Sequence, residues 1–253
     1  MKKFFAIILL AAQALAGRAD LVADADSAYM ADDFLNAAML YQTAIDSLGP
    51  SAERYYNLGN AYYRSDLLGM AIVSYERALR LDPTNRDIIE NLEFVNSRTV
   101  DRIEPSSSLV GGAADRLAAK AHPDTWAWVA LAAFVLALAG VCVYFFAAGV
   151  ALRKIGFFGA GVLLVVCVLA NVLSYRAAKN VTSDNQAVVT APSVILSTTP
   201  RTPKDRTEEA MLLHEGTKLT ILDSIAGGKE KWYDVEVDDS HRAWISADAI
   251  EII

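Results

Sequence analysis

Side chains able to make or break bonds are few and scattered along these 253 residues. Three histidines, His122, His214 and His241, have the right chemistry for proton transfer or metal binding. Two cysteines, Cys142 and Cys167, have the right chemistry for nucleophilic attack or soft-metal binding. Their spacing defeats both uses. No histidine pair sits one helical turn apart, no cysteine pair stands at ligand spacing, and no Gly-x-Ser-x-Gly or phosphate-binding glycine loop occurs. Asp238-Asp239 offers two carboxylates in a turn, with no third ligand beside them. Each cysteine lies inside a long apolar run, where it reads as a small apolar residue of a membrane helix. The expectation is therefore no enzyme, no catalytic residue, no metal and no cofactor.

What remains is recognition chemistry, carried by aromatic and amide side chains at helical spacing. Residues 52–85 read AERYYNLGNAYYRSDLLGMAIVSYERALRLDPTN. Tyr55, Leu58 and Tyr62 fall on one face of a first helix. Gly59 and Ala71 are small where two paired helices must approach closely. Tyr75 and Ala78 follow on the second helix, and Pro83 ends it, having no N–H to donate. In length and residue by residue, this segment resembles a tetratricopeptide repeat. Such modules hold extended peptides or helices in a concave groove lined by the first helix of each pair. The resemblance places Tyr56, Asn60 and Tyr63 in that groove as candidate partner-binding residues, with Asn60 able to hydrogen-bond a peptide backbone. The alternative is that these tyrosines only pack between repeats. Tyr56 and Glu90 stand where a carboxylate clamp would need basic residues, so capture of a free C-terminal carboxylate is not expected.

One repeat cannot bury its own face, so neighbours are required. Moving back by one repeat period finds Ala37, Tyr41 and Ala44 at the second-helix positions, with Phe34 in the turn and Pro50 one position late. The partner first helix, around residues 20–31, has a weaker pattern. Forward of the repeat, residues 87–103 predict a capping helix with Ile88, Leu92 and Val95 inward. The module spans 17–105: two repeats and a cap.

Other segments place this module in a cell. Residues 1–16 carry Lys2 and Lys3, a short apolar core and a small-x-small site at Ala14-Leu15-Ala16, the pattern of a signal peptide. Residues 106–124 read as a linker with Gly111-Gly112, its 113–121 stretch a short amphipathic helix. No charge occurs between Asp124 and Arg153, nor between Lys154 and Arg176. Both runs have spanning length, so 125–150 and 155–175 predict a transmembrane hairpin turning at Arg153-Lys154. Positive charge favours the cytoplasm, which puts both flanking domains on the outer side. Gly156, Ala160 and Leu164, with Gly159 nearby, give the spacing for close helix packing.

Residues 180–253 change character. Short strands are predicted at Ala187–Thr190, Val194–Ser197, Lys218–Asp223, Trp232–Val237, Arg242–Ile245 and Ile250–Ile253, with turns at Gly227-Gly228 and Asp238-Asp239-Ser240. On the strand beginning at Trp232, the residues Trp232, Asp234, Glu236 and Asp238 share a face; its charge predicts solvent exposure, making Trp232 a candidate partner-binding residue. Trp244 is expected in the core. The runs 187–194, 213–223, 232–237 and 243–251 resemble bacterial SH3-like domains, with 246–249 as the helical turn before the last strand and 197–209 as the ligand-contacting loop.

The expected fold class is thus multidomain: an all-α tetratricopeptide module, a two-helix transmembrane hairpin and an all-β SH3-like barrel. Residues 18–105 carry 15 acids against 8 bases, and 176–253 carry 13 against 9, so nucleic acid is not an expected partner. The order of parts, with the segment 91–105 ending in Asp-x-Ile-Glu-Pro, resembles the BatE-type component of bacterial aerotolerance (Bat) operons. That resemblance implies a scaffold on the periplasmic face of the bacterial inner membrane, linked to oxidative stress or envelope maintenance. Its partners would be membrane proteins with von Willebrand A-like domains. A second reading comes from the SH3-like resemblance: binding of peptidoglycan stem peptides.

Overall fold

The computed structural model describes residues 21–101, 114, 115, 117, 118, 120–182, 185–227, 230–238 and 240–253. The expected signal peptide, much of the expected linker, and Gly228 and Asp239 of the expected turns lie outside these residues. The described residues form two compact units: one from 21–101 together with those from 185 onward, the other from those between 114 and 182.

The first unit opens with helices α1 (21–30), α2 (Phe34–Leu48), α3 (Ala52–Arg64), α4 (Leu68–Leu81) and α5 (Arg86–Asn96). Their ends are chemically fixed. Ser51 Oγ accepts from the Arg54 N–H at the start of α3, with Glu53 in the first turn and Arg64 in the last to suit the helix dipole. The Asn85 side chain caps α5 by accepting from the N–H groups of Asp87 and Ile88. Helix α4 stops one residue before Asp82, where the ring of Pro83 disfavours helical backbone. Asp32 and Asp66, one repeat period apart, are the two non-glycine residues with positive φ among the described residues, at 59° and 61°. Each sits in the turn of a helix pair, α1–α2 and α3–α4, so the two pairs share that turn conformation. Tyr41 and Tyr75 stand at the same spacing, both buried.

The same unit contains one antiparallel sheet: β1 (Gln186–Val189), β2 (Ser193–Ser197), β3 (Glu209–His214), β4 (Lys218–Gly227), β5 (Glu230–Asp238), β6 (His241–Ser246) and β7 (Ile250–Ile252), in the order β3-β2-β6-β5-β4-β1-β7. A 3₁₀ turn, Ala247–Ala249, precedes β7 as expected. Two expectations are corrected. Seven strands form, not six, β3 being the addition. The sheet is open rather than a closed barrel, because β3 and β7 are edges with no ladder between them. A core drawing on Leu213 of β3, Val235 and Ile245 of the centre, and Ile250 of β7 still gathers under one face, so the sheet curls. Helix α4 supplies what closure would have given the β7 edge. Arg77 donates to the Ile252 carbonyl and to Glu251, and Arg80 donates to the Ile253 main-chain oxygen at 2.6 Å. An edge satisfied by side chains does not seek another strand.

The second unit is a pair of helices, α6 (Pro123–Phe146) and α7 (Val150–Thr182). Both are long and apolar enough to cross a membrane, and 17 % of each apolar window is buried. A core helix of a water-soluble protein would hide far more of such a surface. The helices meet through small residues. A Cβ on Gly156 would come within 2.6 Å of the Gly140 carbonyl, and one on Gly140 within 3.2 Å of Ala160 Cβ. Gly159 and Leu164 are not part of this contact: Gly159 has open space before it and Leu164 is exposed.

Candidate partner-binding site

Helix α3 carries Tyr56, Asn60 and Tyr63 along one stripe, one turn apart, and the structure brings α5 alongside them. Asn60 Oδ1 accepts from the Tyr75 hydroxyl at 2.7 Å and from Asn91 Nδ2 at 3.1 Å; the same Asn91 amide reaches the Tyr56 hydroxyl at 3.1 Å. The Tyr56 and Tyr75 rings stand 5.9 Å apart. Burial pushes the Tyr75 phenol up, and nearby tyrosines add to the shift, so it stays a neutral donor. Asn60 therefore spends its carbonyl inside the module. Its counterpart one repeat period earlier, Asp26, does the same for Tyr41, and burial with the Asp26 bond pushes the Tyr41 phenol up too. This polar pair belongs to the repeat's internal packing.

Tyr63 differs. Its ring meets Phe94 of α5 edge-on at 5.7 Å, and the Arg98 guanidinium lies over both rings, 5.6 Å from Tyr63 and 4.7 Å from Phe94. Phe94 is 48 % exposed and Arg98 is exposed. An exposed aromatic pair under a guanidinium is a surface that buries well against a partner. Sequence reasoning finds Tyr63 here but not Asn91, Phe94 or Arg98. A signal for them exists: the three fall at i, i+3 and i+7, on a stripe flanking the buried Ile88, Leu92 and Val95, with Arg98 just past the end of α5.

Leu58, Ala71 and Ala78 are buried, and Tyr55 and Tyr62 pack partly buried against both helical cores. A Cβ on Gly59 would stand 2.7 Å from Tyr75 Cε1, which is why this position is glycine.

Trp232 requires correction. It is 6 % exposed rather than open to solvent. The charge on this face of β5 does not make the face wet. Asp234 on it is itself 4 % exposed, its carboxylate held by the Arg242 guanidinium, with Nε at 2.9 and 3.0 Å from its two oxygens. A paired carboxylate can lie under cover, and the tryptophan beside it can too. Trp244, opposite Asp234, is half-buried and outside the sheet's core.

Each histidine lies against an aspartate, His122 against Asp124, His214 against Asp101 and His241 against Asp238. His241 Nδ1 lies 2.8 Å from Asp238, whose carboxylate also accepts from the Ser240 hydroxyl and N–H; the Ser240 bonds, then the His241 ring, bring the Asp238 carboxyl down to about 2. That is a turn locking itself. His214 lies against Asp101, which follows the cap. Asp101 Oδ2 accepts from the His214 N–H and the Thr217 hydroxyl, both at 2.7 Å, and Oδ1 accepts from the His214 ring at 3.0 Å. Among the described residues no group of three or more potential metal ligands gathers.

That Asp101 clasp is one part of a continuous junction between repeat and sheet. Val188 of β1 and Ile253 bury themselves in the core of α4 and α5, beside Ile72, Tyr75 and Val95. Glu215 accepts from the Gly69 N–H at 2.8 Å, and Lys218 pairs with Glu76. Gly216, at φ +88°, leaves room for Thr99 and Ile72, where a Cβ would stand 2.5 Å from Thr99 Cγ2.

The tetratricopeptide repeat family matches residues 52–85 of this chain. No curated protein matches it. The repeat is a non-catalytic protein-interaction motif, which suggests an interaction scaffold.

Proposed function

We propose that this chain is a membrane-anchored adaptor whose α3–α5 surface holds a segment of a partner protein. The observation that carries the reading is the Tyr63–Phe94–Arg98 cluster, solvent-facing beside an amide network that is already satisfied. Helices α6 and α7 anchor it. Repeat and sheet share a core, although the two spans separate them in sequence, which supports a reading with both on one side of the membrane. An even number of crossings meets that condition. The α6–α7 loop is 147–149 and not Arg153-Lys154 as expected, because helical backbone resumes at Val150; Arg153 and Lys154 at the start of α7 still favour a cytoplasmic loop, which leaves repeat and sheet in the periplasm. The resemblance to BatE-type proteins names the setting: an inner-membrane aerotolerance complex, with von Willebrand A-like membrane proteins as partners. The rival reading, a sheet that binds peptidoglycan stem peptides, no longer has an exposed Trp232 to support it.

The test is capture from native membranes with tagged full-length protein in mild detergent, followed by mass spectrometry. Wild type should recover von Willebrand A-like membrane proteins. F94A with R98A should lose them while keeping its helical circular dichroism. Undiminished capture by that variant would remove the site, and recovery of wall material alone would favour the rival.

A further inference from the structure

At the loop end of the α6–α7 hairpin two hollows run into each other. The first, of about 300 Å³, is lined by Tyr144, Val150, Arg153, Lys154, Phe157 and Phe158. The second, of about 440 Å³, shares Tyr144, Phe157 and Phe158 and continues along the helices past Val141, Gly161 and Val165 with an almost wholly apolar lining. One continuous depression thus begins with two cations and ends in hydrocarbon-compatible surface.

The cations are poised for a ligand. Arg153 Nε donates to the Ala147 carbonyl at 2.8 Å, which aims the guanidinium and leaves its two terminal nitrogens free of that bond. The Lys154 ammonium is exposed and makes no hydrogen bond or ion pair among the described residues. The chain contains no acid between Asp124, at the far end of α6, and Asp184, so the loop end of the hairpin has no carboxylate to neutralise them. Tyr144 and Phe157, with ring centroids 5.7 Å apart, wall the passage between the two hollows. Gly161 has open space in front of it, which keeps the apolar end a furrow.

We infer that this depression binds one anionic phospholipid, the headgroup phosphate on Arg153 and Lys154 and an acyl chain along the Gly161 furrow. Basic hollows between membrane helices on the cytoplasmic side suit anionic headgroups, and a lysine or arginine near the surface attracts them measurably. The apolar continuation selects a lipid over free phosphate, since only a lipid fills both parts. The inference rests on the reading that the hairpin spans a membrane.

Native mass spectrometry of the full-length protein tests it, with phosphatidylglycerol and phosphatidylcholine of identical chains titrated separately. Wild type should retain one phosphatidylglycerol about 10- to 30-fold more tightly than phosphatidylcholine. R153Q with K154Q should bind the two lipids alike. G161L, which fills the furrow and favours helix, should weaken both lipids while keeping the preference. Equal retention by wild type, or a preference that survives R153Q/K154Q, overturns the site. Alkaline carbonate extraction of the same membranes separates the two failures. Wild-type protein released by carbonate refutes the spanning reading, whereas protein that stays embedded without lipid preference refutes only this site.

Discussion

Replacing Val188 with alanine tests whether the repeat and the sheet stand or fall together. Val188 belongs to β1 in sequence, but its fully buried side chain sits in the helical core with Ile72, Tyr75 and Val95. The change removes two methyl groups, a transfer loss of about 1.6 kcal/mol, and leaves a cavity that raises the cost to about 2–3 kcal/mol. Hydrogen exchange read by mass spectrometry on the full-length protein in detergent resolves where that loss is felt. If β1 is part of the helical core, protection should fall in α4 and α5 as well as in β1, by about 30- to 150-fold at the slowest amides. Helices α6 and α7 should exchange as before. Loss of protection confined to the sheet, with α4 and α5 unchanged, would refute the shared core. It would also remove the argument that both parts occupy one side of the membrane.

Three further outcomes follow from the same geometry. G59A should destabilise the repeat by about 1–2 kcal/mol in chemical denaturation, although alanine favours helix by about 1 kcal/mol, because the new Cβ meets a Tyr75 ring that Asn60 holds in place. Burial pulls the Asp101 carboxyl up, but the bonds from Thr217, the His214 N–H and the His214 ring outweigh it and hold the carboxyl below its ordinary value of 3.8. A depressed folded pKa adds stability that is complete above that ordinary value and fades as pH falls below it. The urea midpoint of wild type should therefore drop more steeply than that of D101N on moving from neutral pH to below pH 3.8. In cysteine-free protein, G149C in the α6–α7 loop should react with an impermeant maleimide only after the membrane is opened, whereas S240C should react in intact spheroplasts. The reverse pattern would invert the topology.

The second repeat is legible because its determinants are local. Gly59, Ala71, Tyr75 and Pro83 lie within one repeat period, and each has a steric reason. The expected first repeat is fainter because α1 exposes acids and offers the core two alanines, Ala25 and Ala28, with Tyr29 partly buried beside them. Its firmest marks are pairs at the repeat spacing, Asp26 with Asn60 and Asp32 with Asp66, whose roles are hydrogen bonding and backbone angle rather than hydrophobic pattern. Strand β3 escapes a sequence reading because Met211-Leu212-Leu213 does not alternate and follows a charged loop. Trp232 misleads because alternation says which residues share a face but not what covers it. No local pattern could disclose the junction, where Asp101 meets residues more than a hundred positions away.

The junction also answers a problem the sequence posed. Two repeats and a cap are few for an architecture in which each unit buries its face against the next. Here α4 is enclosed on its remaining sides by β1 and β7, and the side chains that would be exposed at the end of a short stack instead hold the sheet. Glu76 pairs with Lys218, Arg77 with Glu251, and Arg80 with the Ile253 oxygen. The α4 residues facing the sheet are committed to it, whereas Tyr63 on α3, Phe94 on α5 and Arg98 just beyond α5 are not. The sheet thus stands in for a neighbouring repeat. That arrangement explains why partner binding is assigned to the α3–α5 surface, and why removing the sheet should cost the repeat its stability as well as any function of the sheet itself.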